Sequence, residues 1–389
     1  MKKIGFSGTL DPITNGHMWV IGEARSIAEE VVVFLSENST KAPRFSAEER
    51  RAIVLESCAE RQWDNVQVVT VKSDYTARVA RKHGIDYLIR GIRTTADFDY
   101  ENLIQQTNVE VIGGAKTLFV MPPRDLGSVS SSFVKALEGP VGWNWTMKKF
   151  VPGPAYRSWI LDWLHKEWQS LWPAGDDAAA ANAQAWFARL TGADAYGGAE
   201  RHYHNLDHLV HGLSEVRAWN ANTRPAQRDV DIVRAAFWFH DAVYTHAAAD
   251  GVSNEEASAR LWLESDLAWD ASVADEVAQL IRATDHFQGG AVTHPLKDIM
   301  LGVDLAILGQ DQEVYEHYAR GIRAEYAHVE EDHYTSQRGQ VLTHLRTKAE
   351  GRQLFGNRWF ADQYNELAIV NMTRELTALG SVLGSVPGK

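Results

Sequence analysis

The order of apolar and polar positions changes character partway along the chain. In about the first 135 residues, short apolar runs alternate with segments of helical character, and the runs predict strands at 3–6, 31–35, 66–71, 87–89 and 117–121. Unbroken apolar runs of this length are typical of strands buried on both faces. Repeated strand–helix units predict a parallel sheet with helices on both sides, and ligands bind at the carboxyl ends of the strands in such sheets.

Helices are expected between these strands, at 16–29, from Ser46 onward and at 76–83. Glu49 follows Ser46 at the spacing of a capping box, in which each of the two side chains accepts a hydrogen bond from the other residue's backbone N–H. These elements predict an α/β Rossmann-like domain, which we place at residues 1–157.

Residues 138–157 interrupt this alternation because they are rich in Gly, Pro and Trp. In the sequence beyond them, apolar residues recur at the spacing of a helix, and no segment shows a convincing form of the alternation of apolar and polar residues that is typical of a strand. Helices are predicted at 178–190, 207–219, 230–239, 254–263, 272–283, 312–327 and 358–379. We therefore expect a second, all-α domain at residues 158–389.

Charge and histidine content differ between the two regions. Residues 1–160 contain 20 Lys and Arg against 18 Asp and Glu, whereas residues 161–389 contain 19 against 33. Thirteen of the 15 histidines lie in the second region. An acidic surface disfavours binding to nucleic acid, whereas acidic residues and histidines in one domain favour a metal site.

Cys58 is the single cysteine, which excludes an intramolecular disulfide and a zinc site built on several thiolates. No run reaches the roughly 18 apolar residues of a membrane helix. Lys2 and Lys3 are not followed by the apolar stretch of a signal peptide. We expect a cytoplasmic protein with neither membrane nor nucleic-acid partners.

The segment GTLDPITNGH at 8–17 joins the first predicted strand to the first helix. Its glycines let the backbone approach a phosphate, and the helix start offers free N–H groups. TNGH at 14–17 fits the T/HxGH signature of nucleotidylyltransferases. Their reaction builds negative charge on phosphate oxygens, so the site needs fixed donors. His17 can be such a donor, although a lone Gly–His pair is as often a loop or a buried histidine.

Two further segments add phosphate-binding chemistry. RGIR at 90–93 follows a strand and precedes DFDYE at 97–101, and SSSFVK at 130–135 combines hydroxyls with a helix start. Arginine is the preferred donor to phosphate, although each segment alone is typical of an exposed face or a loop. Together with GTLDPITNGH and with STKAPRFSAEER at 39–50, they resemble the phosphopantetheine adenylyltransferase family in order and spacing, over about residues 1–155.

This resemblance implies a Rossmann-like nucleotidylyltransferase fold, Mg²⁺ as cofactor and a hexamer. It implies transfer of AMP from ATP to 4′-phosphopantetheine, which gives dephospho-CoA and pyrophosphate in coenzyme A biosynthesis. The catalytic residues it implies are His17, Lys41 and Arg90. The acceptor is expected to contact Thr9, Lys41, Thr76 and Arg90. The ATP site is expected to include Thr9, Leu10, His17, Gly91, Ile92, Arg93, Glu101, Ser128, Val129 and Ser130.

The chain departs from the family's usual sequence at Ser7, at Leu10 and over residues 102–116. The last region helps to build contacts in family members, so the acceptor and the oligomeric state stay open. The alternative is a sibling nucleotidylyltransferase that acts on nicotinate mononucleotide or on a small phosphorylated alcohol. The DFDYE and SSSFVK segments favour the pantetheine acceptor.

Histidines and carboxylates form a second group in the helical region. RHYHNLDH at 201–208 precedes a helix, His240 and Asp241 end a strongly apolar helix, and Asp304 follows an apolar run. An adjacent His and Asp can face one cation, and a distant His and Asp can complete its shell. The alternative is a set of buried histidines hydrogen-bonded within a helical core.

RHYHNLDH, WFHDAVYT, SNEEASA, ATDHF and DLAILG resemble the HD superfamily of metal-dependent phosphohydrolases, over about residues 160–380. The resemblance implies an HD-type all-α fold and the metal ligands His208, His240, Asp241 and Asp304, with His204 as the alternative to His208. It implies Mn²⁺, Fe²⁺, Ni²⁺ or Mg²⁺, which activates water against a phosphoester. Glu255 is the candidate acid or base, and the substrate is a small-molecule phosphate of unknown identity. The alternative is a regulatory module that binds a nucleotide without hydrolysing it.

Overall fold

A computed structural model describes residues 1–37, 42–111, 113–172, 175–245, 251–285 and 292–384. The chain forms two compact units. The N-terminal unit comprises Met1–Gly139 and Trp143–Trp159, and the C-terminal unit comprises Pro140–Gly142 and Ile160–Lys389. None of the helices in the described part of the chain combines the length and apolar character that a membrane crossing needs.

The N-terminal unit is built on a five-stranded parallel sheet in the order β3-β2-β1-β4-β5. The strands are β1 Lys3–Gly8, β2 Glu30–Ser36, β3 Val66–Val71, β4 Tyr87–Gly91 and β5 Lys116–Val120. All five predicted strands are confirmed. In register, Phe6 lies between Val33 of β2 and Ile89 of β4, and all three side chains are buried. The strand order reverses direction between β1 and β4, and this point opens the crevice in which Rossmann-like sheets bind ligands.

Helices connect these strands and follow the last one. They are α1 Asn15–Ile27, α2 Ala47–Ala59, α3 Thr76–Lys82, α4 Thr95–Gln106, α5 Ser131–Leu137 and α6 Trp143–Lys148. A π-helical turn follows α4 at Thr107–Val111, and a 3₁₀ turn covers Arg124–Leu126. The predicted capping box is confirmed, because Ser46 N donates to Glu49 Oε2 over 2.7 Å and Glu49 N donates to Ser46 Oγ over 3.2 Å.

Every regular element in the described part of the C-terminal unit is a helix. Helix α7, Gly153–Leu171, begins in the N-terminal unit. The others are α8 Asp177–Thr191, α9 Leu206–Thr223, α10 Gln227–Phe239, α11 Asn254–Glu264, α12 Ala271–Ala283, α13 Lys297–Leu305, α14 Gln312–Glu325, α15 Glu331–Glu350 and α16 Arg358–Gly384, with a 3₁₀ turn at Ala306–Gly309. All seven helices predicted for this region are confirmed.

Helices α7, α13 and α15 are additions to the predicted set. Gly153 and Pro154 indicate a break in the sequence, but proline is tolerated in the first turn of a helix because its missing N–H has no partner to lose there. Helix α15 buries Thr335 and Arg338 together with its apolar residues, so its buried face does not show as an apolar stripe.

The core of the C-terminal unit brings α9 and α10 into close contact. Gly212 makes this possible, because a Cβ atom there would lie 2.0 Å from the Phe237 ring. On the other side of α10, the Trp238 ring packs edge-to-face on Trp168 with 4.9 Å between centroids. This packing sets the start of α9 beside the end of α10, where the sequence places its candidate metal ligands.

Candidate active sites

A cavity of about 400 Å³ opens at the carboxyl ends of β1 and β4, where the strand order reverses. Nine of the predicted residues line it: Thr9, Leu10, His17, Arg90, Gly91, Arg93, Glu101, Val129 and Ser130. Thr76, Ile92 and Ser128 are not among the lining residues, and Lys41 lies outside the described part of the chain. Ile92 is buried, and Thr76 Oγ1 lies 3.3 Å from Ser36 Oγ at the end of β2.

His17 is held at the start of α1 with one ring nitrogen already occupied. The backbone N–H of Thr14 donates to His17 Nδ1 over 3.0 Å. Burial, together with the neighbouring charges of Arg90 and Arg93, lowers the pKa of His17 to about 4. The imidazole is therefore neutral at pH 7, and because Nδ1 accepts, the proton sits on Nε2. His17 is in this way prepared to donate a hydrogen bond from Nε2.

Carboxylates of α4 orient the two arginines. Arg90 forms a two-pronged ion pair with Glu101, in which Nε donates to Oε2 over 3.0 Å, and it also donates to the Ser7 carbonyl. The Arg93 Nε donates to Asp97 Oδ2 over 3.2 Å, and its Nη1 donates to the Val129 carbonyl. Both guanidinium groups remain partly exposed at the cavity. The planar fork of arginine can share such a carboxylate while binding phosphate oxygens.

The loop after β1 is fastened by residues that the sequence analysis did not assign a role. Asp11 is 3% exposed and accepts from the backbone N–H of Arg44 over 2.9 Å and of Phe45 over 3.2 Å, and it also pairs with Lys135. The buried Arg50 donates to the Thr9 carbonyl over 2.6 Å. Asp11 and Lys135 lie inside the GTLDPITNGH and SSSFVK segments, and this position in the two motifs was the one feature of the sequence that could have indicated a role for them.

A second cavity, of about 410 Å³, lies within the C-terminal unit beside a cluster of histidines and carboxylates. His208 Nε2 lies 3.1 Å from His240 Nε2. The Asp241 carboxylate is 3.0 Å from His240 and 3.6 Å from His208, and that of Asp304 is 3.4 Å and 3.7 Å from the same two nitrogens. Ligands about 2.1 Å from one cation stand roughly 3–3.5 Å apart, so these spacings suit a shared first-row metal ion.

The environment of the two imidazoles also suits a metal. His240 Nδ1 lies 2.9 Å from the Phe237 carbonyl, which directs Nε2 at the cluster. Burial lowers the pKa of His240, but the Asp241 and Asp304 carboxylates outweigh it and raise that pKa well above its ordinary value, so a cation bound here would displace the Nε2 proton. Burial, and then the neighbouring His240, lower the pKa of His208 to about 3, so its ring is neutral at pH 7. Neutral imidazole is the form that binds a cation.

His204 has a different setting from His208. Its Nδ1 lies 2.8 Å from Glu325 Oε2, and its ring stacks on Tyr244 with 4.1 Å between centroids. His204 approaches the cluster at Asp241, whose Oδ2 lies 3.9 Å from His204 Nε2. Of the two histidines that the sequence left open, His208 thus contacts three members of the cluster, whereas His204 lies at its edge and is oriented by a buried carboxylate.

Three residues without an assigned role hold this second site together. Arg201 donates to the carbonyls of Asp241 and Ala242 over 2.6 and 2.8 Å, which ties the segment before α9 to the end of α10. The Tyr196 hydroxyl accepts from the Asp241 backbone N–H over 3.1 Å. Glu325 accepts from the backbone N–H of His204 over 2.9 Å. Arg201 stands in RHYHNLDH, but neither Glu325 nor Tyr196 lies in a segment that signals chemistry.

Glu255 lies in the first turn of α11 and lines the second cavity together with Asp241 and Asp304. It is half-buried, so it faces the cavity without being enclosed by the core. His286, in the quoted ATDHF segment, lies outside the described residues.

Comparison with known proteins bears on the first of the two units. Residues 6–137 match the family described as cytidylyltransferase-like. The phosphopantetheine adenylyltransferase of Chromobacterium violaceum is 35% identical over 160 residues, which cover 41% of this chain and 96% of that protein. The phosphopantetheine adenylyltransferases of Lacticaseibacillus paracasei and Haemophilus ducreyi are 36% and 38% identical over 154 and 132 residues, covering 39% and 34% of this chain and 89% and 80% of those proteins.

Proposed function

Since this chain belongs, through its N-terminal part, to the phosphopantetheine adenylyltransferase family, we propose that the N-terminal unit transfers AMP from ATP to 4′-phosphopantetheine in coenzyme A biosynthesis. A phosphate oxygen of the acceptor attacks the α-phosphorus of ATP, the bond to the β-phosphate oxygen breaks, and pyrophosphate leaves as dephospho-CoA forms. The observation that carries the proposal is the cavity at the reversal point of the sheet, which gathers His17, Arg90 and Arg93.

In this proposal, His17 donates from Nε2 to an oxygen on the α-phosphorus as charge builds there. Thr14 supports the role because its backbone N–H occupies Nδ1 and thereby keeps the proton on Nε2. Arg90 and Arg93 bind phosphate oxygens while Glu101 and Asp97 hold their orientation. No covalent intermediate is needed, since fixed donors stabilise the transition state.

The roles proposed for Lys41 and Thr76 toward the acceptor, and the hexameric state, come from the family resemblance. Mg²⁺ bound through the phosphates of ATP would supply positive charge to the departing pyrophosphate. The setting of the cavity supports this route, because each of its three described lining carboxylates, Asp11, Asp97 and Glu101, is already paired with a Lys or Arg side chain. Mg²⁺ commonly binds through substrate phosphates in this way.

The acceptor is tested by measuring pyrophosphate release from ATP and Mg²⁺ with the full chain. We expect release with 4′-phosphopantetheine, with dephospho-CoA as the second product identified by mass. Nicotinate mononucleotide and a small phosphorylated alcohol are the comparison acceptors. Release with one of these and none with 4′-phosphopantetheine would replace the proposal by the sibling transferase.

For the C-terminal unit we propose a metal-dependent phosphohydrolase. The observation that favours it is the convergence of His208, His240 and Asp241, whose ligand atoms all lie within 4.8 Å of one another. Asp304 Oδ1 lies 3.4 Å from His240 Nε2 and 3.7 Å from His208 Nε2. A bound Mn²⁺, Fe²⁺, Ni²⁺ or Mg²⁺ would activate water and polarise a phosphoester. His204 lies at the edge of the cluster and Glu255 lies on the cavity wall. Both side chains therefore line the cavity in which the ester would bind.

Metal analysis of the purified full chain tests this second proposal. We expect about one divalent ion per chain, and hydrolysis of a small phosphoester that depends on this ion. The competing hypothesis is a regulatory module that binds a nucleotide. It would be favoured by a chain that holds no metal and hydrolyses no ester, but whose adenylyl-transfer rate responds to an added nucleotide.

A further inference from the structure

The cavity beside the metal cluster is walled mainly by aromatic and aliphatic side chains. Five tyrosines line it: Tyr203, Tyr244, Tyr318, Tyr326 and Tyr334. Seven leucine, isoleucine and valine side chains of the described residues add to the wall, and its polar members away from the cluster include Asn254, Thr284, His333 and Gln337. The cluster occupies one end through Asp241 and Asp304. A molecule that places a phosphate on the metal therefore has an apolar, ring-rich chamber beside it for the rest of its structure.

The charged groups of this chamber do not provide for additional phosphates. Arg338 is the one Lys or Arg among its described lining residues, and it is 8% exposed. Its Nε and Nη2 donate to Glu375 over 2.8 and 3.1 Å, and its Nη1 donates to the Tyr318 hydroxyl over 3.1 Å. Glu255, Asp241 and Asp304 add negative charge to the lining. Apart from His333 and from His204, which is paired with Glu325, the charged and ionisable groups that a second or third phosphate would meet here are carboxylates and a guanidinium that is already paired.

Flat rings already stack against one another in this chamber. Tyr244 lies nearly parallel to His204 at 4.1 Å, and the Tyr203 ring packs edge-on to Tyr318 at 4.7 Å. Tyr334 lies on α15, where it packs against the Arg323 guanidinium at 4.6 Å and stands 6.3 Å from Tyr326. Aromatic surfaces of this kind bind uncharged rings by stacking and apolar burial, with little demand for hydrogen bonds.

We propose that the substrate of the second site is a phosphate monoester of a flat, uncharged aromatic group, which lies in the tyrosine-lined chamber while its single phosphate binds the metal. This inference rests on the proposed hydrolase function of the same site. In the reaction, water adds to phosphorus, the ester P–O bond breaks, the departing oxygen takes a proton, and inorganic phosphate is released. Nucleoside monophosphates and aryl phosphates share this chemistry, and separate substrates distinguish them.

The test uses the full chain loaded with Mn²⁺ and four substrates: 1-naphthyl phosphate, glycerol 2-phosphate, AMP and ATP. Only phosphate release that Asp304→Asn eliminates is counted, which removes any contribution of the N-terminal unit. We expect kcat/KM at least tenfold higher for 1-naphthyl phosphate than for glycerol 2-phosphate, and tenfold higher for AMP than for ATP. A preference for naphthyl phosphate alone would identify the group as aryl rather than nucleoside.

Tyr334 gives a matched pair of variants. Tyr334→Leu keeps apolar volume but removes the ring, and we expect it to lower the preference for 1-naphthyl over glycerol phosphate about fivefold through KM, with kcat retained. Tyr334→Phe keeps the ring and should keep the preference. A merely structural role for Tyr334 would lower the rate with both substrates alike, and metal content and thermal midpoint check that each variant is folded.

The outcomes separate the inference from the proposed function beneath it. Asp304-dependent hydrolysis that is equal or faster with glycerol 2-phosphate and ATP would overturn the aromatic monoester and leave the hydrolase standing. If no substrate is hydrolysed, equilibrium dialysis of 1-naphthyl phosphate against the Mn²⁺-loaded chain decides. Binding that Tyr334→Leu weakens would support the aromatic chamber while removing the hydrolase, and absence of binding would overturn both.

Discussion

The two cavities of this chain have nearly the same volume, about 400 and 410 Å³, but opposite chemistry. Among the described residues, the first is lined by glycines, serines and three Lys or Arg side chains, each paired with a carboxylate, at the carboxyl ends of the strands of a parallel sheet. The second has an aromatic and aliphatic wall with carboxylates and histidines at one end. Their volumes predict similar ligands, whereas their linings predict different ones.

The difference lies in how each cavity can hold a phosphate. In the first, Arg90 and Arg93 are permanent cations, and their carboxylate partners set their direction. In the second, Arg338, the Lys or Arg among the described lining residues, is buried and bonded to both Glu375 and Tyr318, and Asp241 and Asp304 face the histidines. The first cavity offers cations to an anion as it stands, whereas the role proposed for the second requires a metal cation beside the carboxylates before a phosphate binds there.

Removal of a proposed metal ligand should have the largest effect and should be confined to one unit. We expect His240→Ala to lose the bound divalent ion and all metal-dependent hydrolysis, because His240 contacts both carboxylates of the cluster. Adenylyl transfer should be unchanged. Elemental analysis and both activity assays measure this, with the exposed His202→Ala as the matched control. Metal retained at the wild-type level would remove the distinction between the cavities.

Loss of His17 should be next in size. His17→Ala removes a donor to charge that develops only in the transition state, so kcat for adenylyl transfer should fall by about 10²–10³. ATP affinity should change little, because the arginines remain. Steady-state kinetics and a binding titration separate the two quantities, and the exposed His83→Ala provides the control. If ATP affinity and kcat fell by the same factor, the result would indicate a structural role for His17 rather than a role in the transition state.

Arg90→Lys tests whether fixed cations bind the phosphate in the first cavity. Lysine keeps the charge but cannot reproduce the two-pronged pairing with Glu101 together with the bond to the Ser7 carbonyl. We expect KM for a phosphate-bearing substrate to rise about tenfold. Arg78→Lys, an exposed arginine paired with Asp74, is the matched control. Unchanged kinetics in Arg90→Lys would mean that charge alone suffices.

The last prediction concerns the stability of the first unit rather than its activity. The pKa of His17 is about 4 in the folded chain against an ordinary value of 6.5, so the unfolded chain binds more protons between these pH values. His17 therefore costs nothing above pH 6.5 and lowers stability progressively as the pH falls toward 4, by roughly 1–3 kcal/mol. Thermal midpoints from pH 7 to 4.5 should fall more steeply in the wild type than in His17→Asn, and parallel curves would contradict the buried neutral imidazole.

Local signals in the sequence predicted much of both folds. Strands such as Val31–Leu35 show as unbroken apolar runs because the sheet is covered on both faces. Helix α12 is strongly amphipathic and was predicted within one residue of its start, at Ala271. The capping box at Ser46 and Glu49 was likewise readable, because both partners lie within one helical turn. These are features whose physical cause lies within a few residues.

The candidate site residues divide along the same line. The sequence brought forward His17, Arg90, His208, His240, Asp241 and Asp304 because they stand in recognisable segments. No local pattern indicated Glu325, which orients His204 although the two residues are 121 positions apart in the sequence. Nor did any pattern predict the ion pair between Asp11 and Lys135, which are 124 positions apart. Partners of this kind are chosen by packing, which no local pattern records.

By itself, then, the sequence determined the two kinds of secondary structure, the contrast in charge between the two regions and the residue types available for chemistry, because each depends on neighbours along the chain. The tertiary structure decided which histidine contacts the cluster and which carboxylates form ion pairs with arginines. It also decided that tyrosines from α14, from α15 and from segments beside α9, α10 and α14 line one cavity. Those facts depend on residues far apart in sequence, which become neighbours only when burial of the apolar core brings their helices and strands together.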